Sequence, residues 1–169
     1  MKKQNRTQTQ KDKGNCVTLH ISIIDDDPIA SAVMKTRLTN QFPNSEIKTS
    51  KEPIVMPDCD VYFVDNDFGG KSLANVLLRQ IRELNPNALV VAMSSTLDQD
   101  ELEALINGGC NAIYNKNRAA QSKEVFEVVE NYMNALKKQA SNRKPIRGII
   151  HSIHDLIEQW NRRLSNEIH

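Results

Sequence analysis

Acidic side chains stand in the sequence at points where short apolar runs end. Asp25 and Asp26 follow the apolar run 19–24, and Asp65 follows the run 61–64. Carboxylates that are brought together repel one another and raise each other's pKa unless a cation neutralises them. A hard divalent ion such as Mg²⁺ suits oxygen ligands of this kind, and it commonly bridges to a phosphate oxygen. The acidic residues therefore indicate a magnesium site that handles phosphate.

Two further polar residues follow apolar runs in the same way. Ser94 comes after the run 88–93, and Lys116 comes shortly after the run 112–114. A hydroxyl and an ammonium are the donors needed to hold the remaining oxygens of a phosphoryl group. A carboxylate close to the metal can itself attack phosphorus to give an aspartyl phosphate, and Asp65 is the best candidate for this nucleophile.

The elements that position these residues follow from the apolar pattern. Short apolar runs predict strands at 19–24, 61–64, 88–93 and 112–114, and the segment 46–49 is a weak second strand. Helical spacing predicts helices at 28–41 and 71–84, a short helix around 102–106 and a longer one around 125–136. Pro53 and Pro57 leave room for at most a turn or two of helix between the second and third strands.

This alternation predicts an α/β fold with a doubly wound, five-stranded parallel sheet. In such a sheet the functional crevice lies at the carboxyl ends of the strands. The predicted site residues all follow strands, so we expect them to converge on one edge of the sheet.

Four motifs, in this order, resemble the receiver domain of two-component response regulators over residues 19–139. The first strand of a receiver ends in an acidic pair and the third ends in the phospho-accepting aspartate, while a Ser or Thr follows the fourth strand and a Lys follows the fifth. The corresponding segments here are Ile23-Ile24-Asp25-Asp26, Val64-Asp65, Met93-Ser94-Ser95 and Tyr114-Asn115-Lys116. The resemblance implies the flavodoxin-like receiver fold.

The resemblance also implies a ligand set for Mg²⁺. Asp26 and Asp65 would bind the ion directly, Asp25 would act mainly through water, and the backbone carbonyl of Asp67 would complete the protein's share.

The remaining implied roles concern the phosphoryl group. Asp65 would accept it from a phosphohistidine on a histidine kinase or histidine phosphotransfer protein, Ser94 would contact it, and Lys116 would bridge the carboxylate and a phosphoryl oxygen. A receiver catalyses only its own phosphorylation and dephosphorylation, so no other enzymatic activity is expected. Its output passes through contacts with other proteins.

The sequence departs from the receiver pattern at three points near the site. Asn117 follows the lysine where receivers usually have a proline, and Ile113 stands where they usually have an aromatic residue. Phe68-Gly69 replaces the common Met-Pro pair after the acceptor. These changes concern the output switch more than the phosphate chemistry.

Other interpretations of the same residues remain open. The chain could be a pseudo-receiver that works constitutively as a binding module. It could also be a haloacid-dehalogenase-like phosphatase, because Val64-Asp65-Asn66-Asp67 also resembles the nucleophile motif of that family. Such phosphatases need an acidic metal pair after the lysine, whereas here Asp25 and Asp26 precede the nucleophile. The acidic residues before Pro28 could also simply cap a helix.

Composition sets further bounds. The 169 residues include 22 Lys plus Arg and 21 Asp plus Glu, a net charge of +1 that gives no nucleic-acid footprint. The three cysteines lack disulfide or metal-ligand spacing. No apolar run spans a bilayer and no secretory signal is recognised, so we expect a cytoplasmic protein without a membrane or nucleic-acid partner.

The sequence predicts three regions: a flexible polar tail at 1–17, the receiver domain at 18–140, and an amphipathic helix at 141–169. An apolar stripe runs along this last helix, comprising Ile146, Ile149, Ile150, Ile153, Ile157, Trp160 and Leu164. So much apolar surface must be covered. We expect the stripe to form a homodimer, and packing onto the chain's own receiver domain is the alternative.

Overall fold

A central sheet of five parallel strands, with helices on both faces, holds the described part of the chain. The computed structural model describes residues 18–96, 98–118 and 122–142. In chain order its elements are β1 (His20–Ile24), α1 (Pro28–Gln41), β2 (Glu46–Ser50), β3 (Val61–Asp65), β4 (Asp67–Phe68), β5 (Lys71–Ser72), α2 (Ala74–Leu84), β6 (Leu89–Ser94), α3 (Gln99–Asn107), β7 (Ala112–Asn115) and α4 (Ser122–Asn142). The sheet order is β2-β1-β3-β6-β7, and every neighbouring pair is parallel. The predicted doubly wound fold is confirmed.

The two faces of the sheet carry separate apolar cores. One face packs against α1 and α4, with Met34 and Leu38 from α1 and Val125 and Val129 from α4. The other face packs against α2 and α3, including Leu77 of α2. Every residue of β3 and β6 is buried, as expected for central strands that are covered on both sides.

A short antiparallel hairpin interrupts the predicted pattern after β3. Strands β4 and β5 pair with Phe68 opposite Lys71, so that Gly69 and Gly70 form a two-residue turn between them. Both glycines have positive φ, at 55° and 80°, as this kind of tight turn requires. The prediction of a helix from residue 71 was therefore wrong at its start, because α2 begins at Ala74.

The connection from β2 to β3 contains no helix among its residues, all of which the structure describes. The short helix that Pro53 and Pro57 would have allowed does not form. Instead, Val55 and Met56 pack against the apolar core on the α2 side, and the hydroxyl of Tyr62 donates a hydrogen bond to the carbonyl oxygen of Met56 at 2.6 Å. This irregular segment covers the sheet where a helix would otherwise lie.

Two of the three regions predicted from the sequence lie outside the described residues. They are the polar tail at 1–17 and nearly all of the segment 141–169, including the stripe Ile146, Ile149, Ile150, Ile153, Ile157, Trp160 and Leu164. The boundaries of the regions and the proposed homodimer stay predictions. No helix in the described ranges has both the length and the apolar character to cross a bilayer.

Candidate functional site

The strand ends place the predicted site residues along one edge of the sheet. Asp65 and Ser94 are the last residues of β3 and β6, and Asp25 and Lys116 directly follow β1 and β7. Since β1, β3, β6 and β7 are successive neighbours in the sheet, their carboxyl ends lie side by side. The convergence that the sequence predicts is present in the structure.

Lys116 links two of the carboxylates. Its Nζ lies 3.0 Å from Oδ2 of Asp25 and 2.9 Å from Oδ1 of Asp65. The side chains of Asp25 and Asp65 are only 1% and 3% exposed, and that of Lys116 is 19% exposed. The ammonium therefore sits between two buried carboxylates, where solvent screens the ion pairs little.

The acidic cluster consists of Asp25, Asp26 and Asp65. Each of these residues offers a carboxylate oxygen, and the three oxygens lie within 4.8 Å of one another. Lys116 contributes one positive charge against three negative ones, so the cluster keeps an excess of negative charge. A compact set of carboxylate oxygens with excess negative charge fits a hard divalent cation such as Mg²⁺.

Burial shapes the ionisation of the site. It raises the pKa of Asp65 to about 6, where the hydrogen bond from Lys116 opposes the rise and the charge of Asp25 adds to it. Burial also disfavours the charged form of Lys116, but hydrogen bonds and charge interactions with Asp65 and Asp25 outweigh it and raise the pKa of the ammonium. Lys116 therefore stays protonated at neutral pH, while Asp65 carries a charge that its surroundings only partly compensate.

The three consecutive aspartates have different partners. Asp25 accepts a hydrogen bond at Oδ1 from the backbone N–H of Asp27, at 3.0 Å, so both of its oxygens have protein partners. Asp27 caps α1, since its Oδ1 accepts from the N–H groups of Ile29 at 2.8 Å and Ala30 at 3.3 Å. The capping interpretation therefore applies to Asp27, whereas Asp25 and Asp26 belong to the acidic cluster.

Ser94 lies at the same edge but is engaged with its own loop. Its hydroxyl donates to the carbonyl oxygen of Thr96 at 2.8 Å and accepts from the N–H of Thr96 at 3.2 Å. The side chain is buried, and Ser94, Ser95 and Thr96 all line the open cleft above the acidic cluster. A phosphoryl group that accepted a hydrogen bond from this hydroxyl would have to replace the bond to Thr96.

The loop after Lys116 is held without a proline. The peptide bonds of the described residues are all trans, including the one that joins Lys116 to Asn117. Asn117 donates from Nδ2 to the carbonyl oxygen of Ser95 at 3.0 Å, and its N–H donates to Oδ1 of Asn115 at 2.9 Å. Its amide side chain thus ties the loop after β7 to the loop after β6.

Next to this loop, the predicted departure at Ile113 leaves a half-buried aliphatic side chain that packs against the core on the α2 side. The neighbouring Tyr114 is buried on the opposite face. Its hydroxyl accepts a hydrogen bond from Nη1 of Arg37 on α1. The aromatic side chain of this strand is therefore tied to α1.

The hairpin β4–β5, which was not predicted from the sequence, forms one wall of the cleft. Gly69 donates its N–H to Oδ2 of Asp26 at 3.0 Å, and Ser72 donates its hydroxyl to Oδ1 of Asn66 at 3.0 Å. Oδ1 of Asp67 accepts from the N–H of Gly70 at 2.9 Å. The Gly-Gly pair is the sequence signal that could have revealed this turn.

The cleft itself is open and polar, with a volume of about 540 Å³. Its lining includes Asp26, Asp65, Asp67, Ser94 and Lys116. Asp25 is fully buried and contacts Lys116 of this lining. All the predicted site residues thus line one cleft or, in the case of Asp25, contact a residue that lines it, and the size and polarity of this cleft suit a phosphoryl group and its counter-ion.

Comparison with solved structures identifies the fold, although no protein-family model and no curated protein matches the chain. The signal receiver domain of a DNA-binding response regulator from Colwellia psychrerythraea 34H is 22% identical, with a TM-score of 0.56, and the match covers 66% of this chain and 98% of that one. A response regulator from Thermotoga maritima is 21% identical, with a TM-score of 0.56 and coverage of 70% and 99%. A CheY-like receiver domain protein from Methanospirillum hungatei JF-1 is 16% identical, with a TM-score of 0.59 and coverage of 73% and 99%. The chain has the receiver fold.

Proposed function

We propose that this chain is a phospho-accepting receiver of a two-component or phosphorelay system, with Asp65 as the acceptor. The observation that carries the proposal is the position of Lys116, whose ammonium contacts both Asp25 and Asp65 at the carboxyl edge of a sheet with the receiver strand order. The fold alone does not assign a function. The combination of acidic cluster, lysine and hydroxyl at this edge supports one.

In the proposed reaction, a carboxylate oxygen of Asp65 attacks the phosphorus of a phosphohistidine. A P–O bond forms, the P–N bond breaks, and its electron pair returns to the imidazole, which takes up a proton. Lys116 would hold a phosphoryl oxygen together with the acceptor carboxylate, and Ser94 would donate its hydroxyl to another phosphoryl oxygen. Hydrolysis of the aspartyl phosphate by water would reset the protein, so the chain would act on itself alone.

The acidic cluster would hold Mg²⁺ in this scheme. Asp26 and Asp65 would be direct ligands, together with the backbone carbonyl of Asp67. Asp25 would act through water, because both of its oxygens already have partners in Lys116 and Asp27. When bound, the ion neutralises the charge that develops on the phosphoryl oxygens.

The partner in this reaction would be a histidine kinase or a histidine phosphotransfer protein. Helix α1 starts beside the acidic cluster and exposes two apolar side chains one turn apart, Ile29 at 74% and Val33 at 47%. Exposed apolar groups next to a reactive site are suited to contact with a partner helix. We propose that the signalling output also passes through contacts with other proteins. The chain would form a homodimer through the C-terminal stripe, and it would act in the cytoplasm.

Two alternative functions predict experimental results that differ from those of a phospho-accepting receiver. A pseudo-receiver would leave Asp65 unmodified, and the double engagement of the Ser94 hydroxyl with Thr96 is the feature that favours it. A haloacid-dehalogenase-like phosphatase is disfavoured, because it would need an acidic metal pair after the lysine. Here the acidic pair Asp25 and Asp26 follows β1, the first strand. No strand follows β7 among the described residues. Such an enzyme would also turn over added phosphate esters, which a receiver would not.

The proposal is tested by locating the modification. After incubation with acetyl phosphate and Mg²⁺, reduction with borohydride would convert an aspartyl phosphate to homoserine, which peptide mass mapping can place. We expect homoserine at position 65 alone. Its absence from a folded, magnesium-bound protein would overturn the receiver function, and its appearance at Asp67 would move the acceptor.

A further inference from the structure

The tip of the hairpin β4–β5 reaches across the cleft to a predicted metal ligand. The N–H of Gly69 donates to Oδ2 of Asp26 at 3.0 Å, although the two residues are 43 positions apart. The base of the hairpin is fixed, because Phe68 is buried in the core and Ser72 is bonded to the buried Asn66. A rigid base and a tight turn together place this donor on the carboxylate.

The second oxygen of Asp26 therefore has a partner before any cation arrives. A cation that binds this carboxylate through both oxygens has to share Oδ2 with the Gly69 N–H, which weakens that oxygen as a ligand, whereas a cation that binds through Oδ1 alone does not. Ca²⁺ takes six to eight oxygens and often binds carboxylates through both oxygens, whereas Mg²⁺ prefers single oxygens in an octahedron that keeps several waters. The contact thus acts against the coordination that Ca²⁺ favours.

We propose that the Gly69 N–H is a specificity-determining group, which restricts Asp26 to one metal-binding oxygen and so favours Mg²⁺ over Ca²⁺. The inference rests on the proposed function, since that function places a divalent cation at Asp26. It gives the hairpin, whose turn is formed by Gly69 and Gly70 of this chain, a role in the choice of cation.

The test compares cation affinities in two variants of Gly69. Gly69→Pro removes the N–H and cannot adopt the φ of 55° found there, so it breaks the contact at an exposed tip. Gly69→Asn is the matched control, because asparagine tolerates positive φ, keeps the N–H and meets no atom within 4 Å of the added Cβ. Mg²⁺ and Ca²⁺ are each titrated into the full-length protein by calorimetry, with circular dichroism to confirm the fold.

For Gly69→Pro we expect the preference for Mg²⁺ over Ca²⁺ to fall by about tenfold, the equivalent of one hydrogen bond to a charged group, while Gly69→Asn stays near wild type. An unchanged ratio in Gly69→Pro would overturn this inference and leave the magnesium site intact. Wild-type protein that binds neither cation would overturn the proposed metal site along with it.

A semisynthetic chain with an ester in place of the Phe68–Gly69 amide provides a second variant. It removes only the donor and leaves the turn in place, so it remains informative if proline disturbs the hairpin. The ester should lower the preference for Mg²⁺ over Ca²⁺, as Gly69→Pro does. A wild-type ratio in the ester protein would contradict the role of this N–H.

Discussion

The ammonium of Lys116 lies 2.9 Å from Oδ1 of Asp65, and both side chains are largely shielded from solvent. The same ammonium is 3.0 Å from Oδ2 of Asp25. Lys116 therefore does two things in the absence of a divalent ion. It compensates part of the negative charge of the acidic cluster, and it holds the carboxylate of Asp65, which lines the cleft.

Removal of this lysine should destabilise the fold in a pH-dependent way. Lys116→Met leaves two buried carboxylates without a counter-charge, a loss of about 3 kcal/mol in the free energy of unfolding. We expect urea unfolding at pH 8 without divalent ions to show this loss, and the loss to shrink at pH 5 as Asp65, whose pKa is raised to about 6, takes up a proton. Lys71→Met, at an exposed position of the hairpin, serves as the control and should change little. Equal effects of the two substitutions would show that Lys116 does not stabilise the buried carboxylates.

Neutralising Asp65 should stabilise the metal-free protein at high pH. Burial raises the pKa of Asp65 to about 6 from an ordinary value of 3.8, so the folded state holds this proton more tightly than the unfolded state. The stability that the proton contributes is complete below about pH 4 and is lost as the pH rises through about 6. At pH 8 we therefore expect Asp65→Asn to melt about 5 °C higher than wild type, with the difference vanishing towards pH 4.

The matched control for this change is Asp67→Asn, since Asp67 lines the same cleft but is exposed. It should show no comparable gain at pH 8. If Asp65→Asn melts below wild type at pH 8 without divalent ions, the uncompensated charge at Asp65 is not the dominant effect, and the electrostatic description of the site is wrong.

Magnesium should stabilise the protein through the acidic cluster. At a Mg²⁺ concentration about ten times the dissociation constant, the melting temperature should rise by about 3 °C. Asp26→Asn should abolish most of this rise. Asp27→Asn should keep the rise, because Asp27 caps α1 instead. A wild-type melting temperature that is insensitive to millimolar Mg²⁺ would count against the metal site.

The C-terminal stripe predicts a dimer on the sequence alone. Trp160 lies in its apolar pattern, and a charge there should separate two helices that pack through it. Light scattering should give the mass of a dimer for wild type and that of a monomer for Trp160→Glu. A monomeric wild type, or a variant that stays dimeric, would remove this assignment.

The strand ends of the site could be predicted because buried parallel strands leave unbroken apolar runs. The runs before Asp25 and Asp65 stop abruptly at charged residues, and parallel strands must end at the same edge of the sheet. The same apolar pattern predicts four of the five strands of the central sheet and the four helices of the described residues. The remaining strand, β2, was also predicted, although its apolar pattern is weak. The site residues were placed at the right edge for this reason.

The hairpin was missed because its sequence also continues a helical pattern. Leu73, Leu77 and Ile81 share one face, so the apolar spacing extends the helix back past its start at Ala74. Hydrogen bonds between segments that are distant in the sequence could not be predicted either. The bonds from Gly69 to Asp26 and from Asn117 to Ser95 join distant segments, and their distances depend on the folded backbone.

Phosphorylation of Asp65 is tested most directly by the intact mass of the protein after incubation with acetyl phosphate and Mg²⁺. We expect one phosphoryl group on wild type, lost on standing at neutral pH as an acyl phosphate hydrolyses, and none on Asp65→Asn. Lys116→Met should also remain unmodified or react far more slowly. A folded, magnesium-bound wild type that gains no phosphoryl group, or an Asp65→Asn variant that gains as much as wild type, would contradict the assignment of Asp65 as the acceptor.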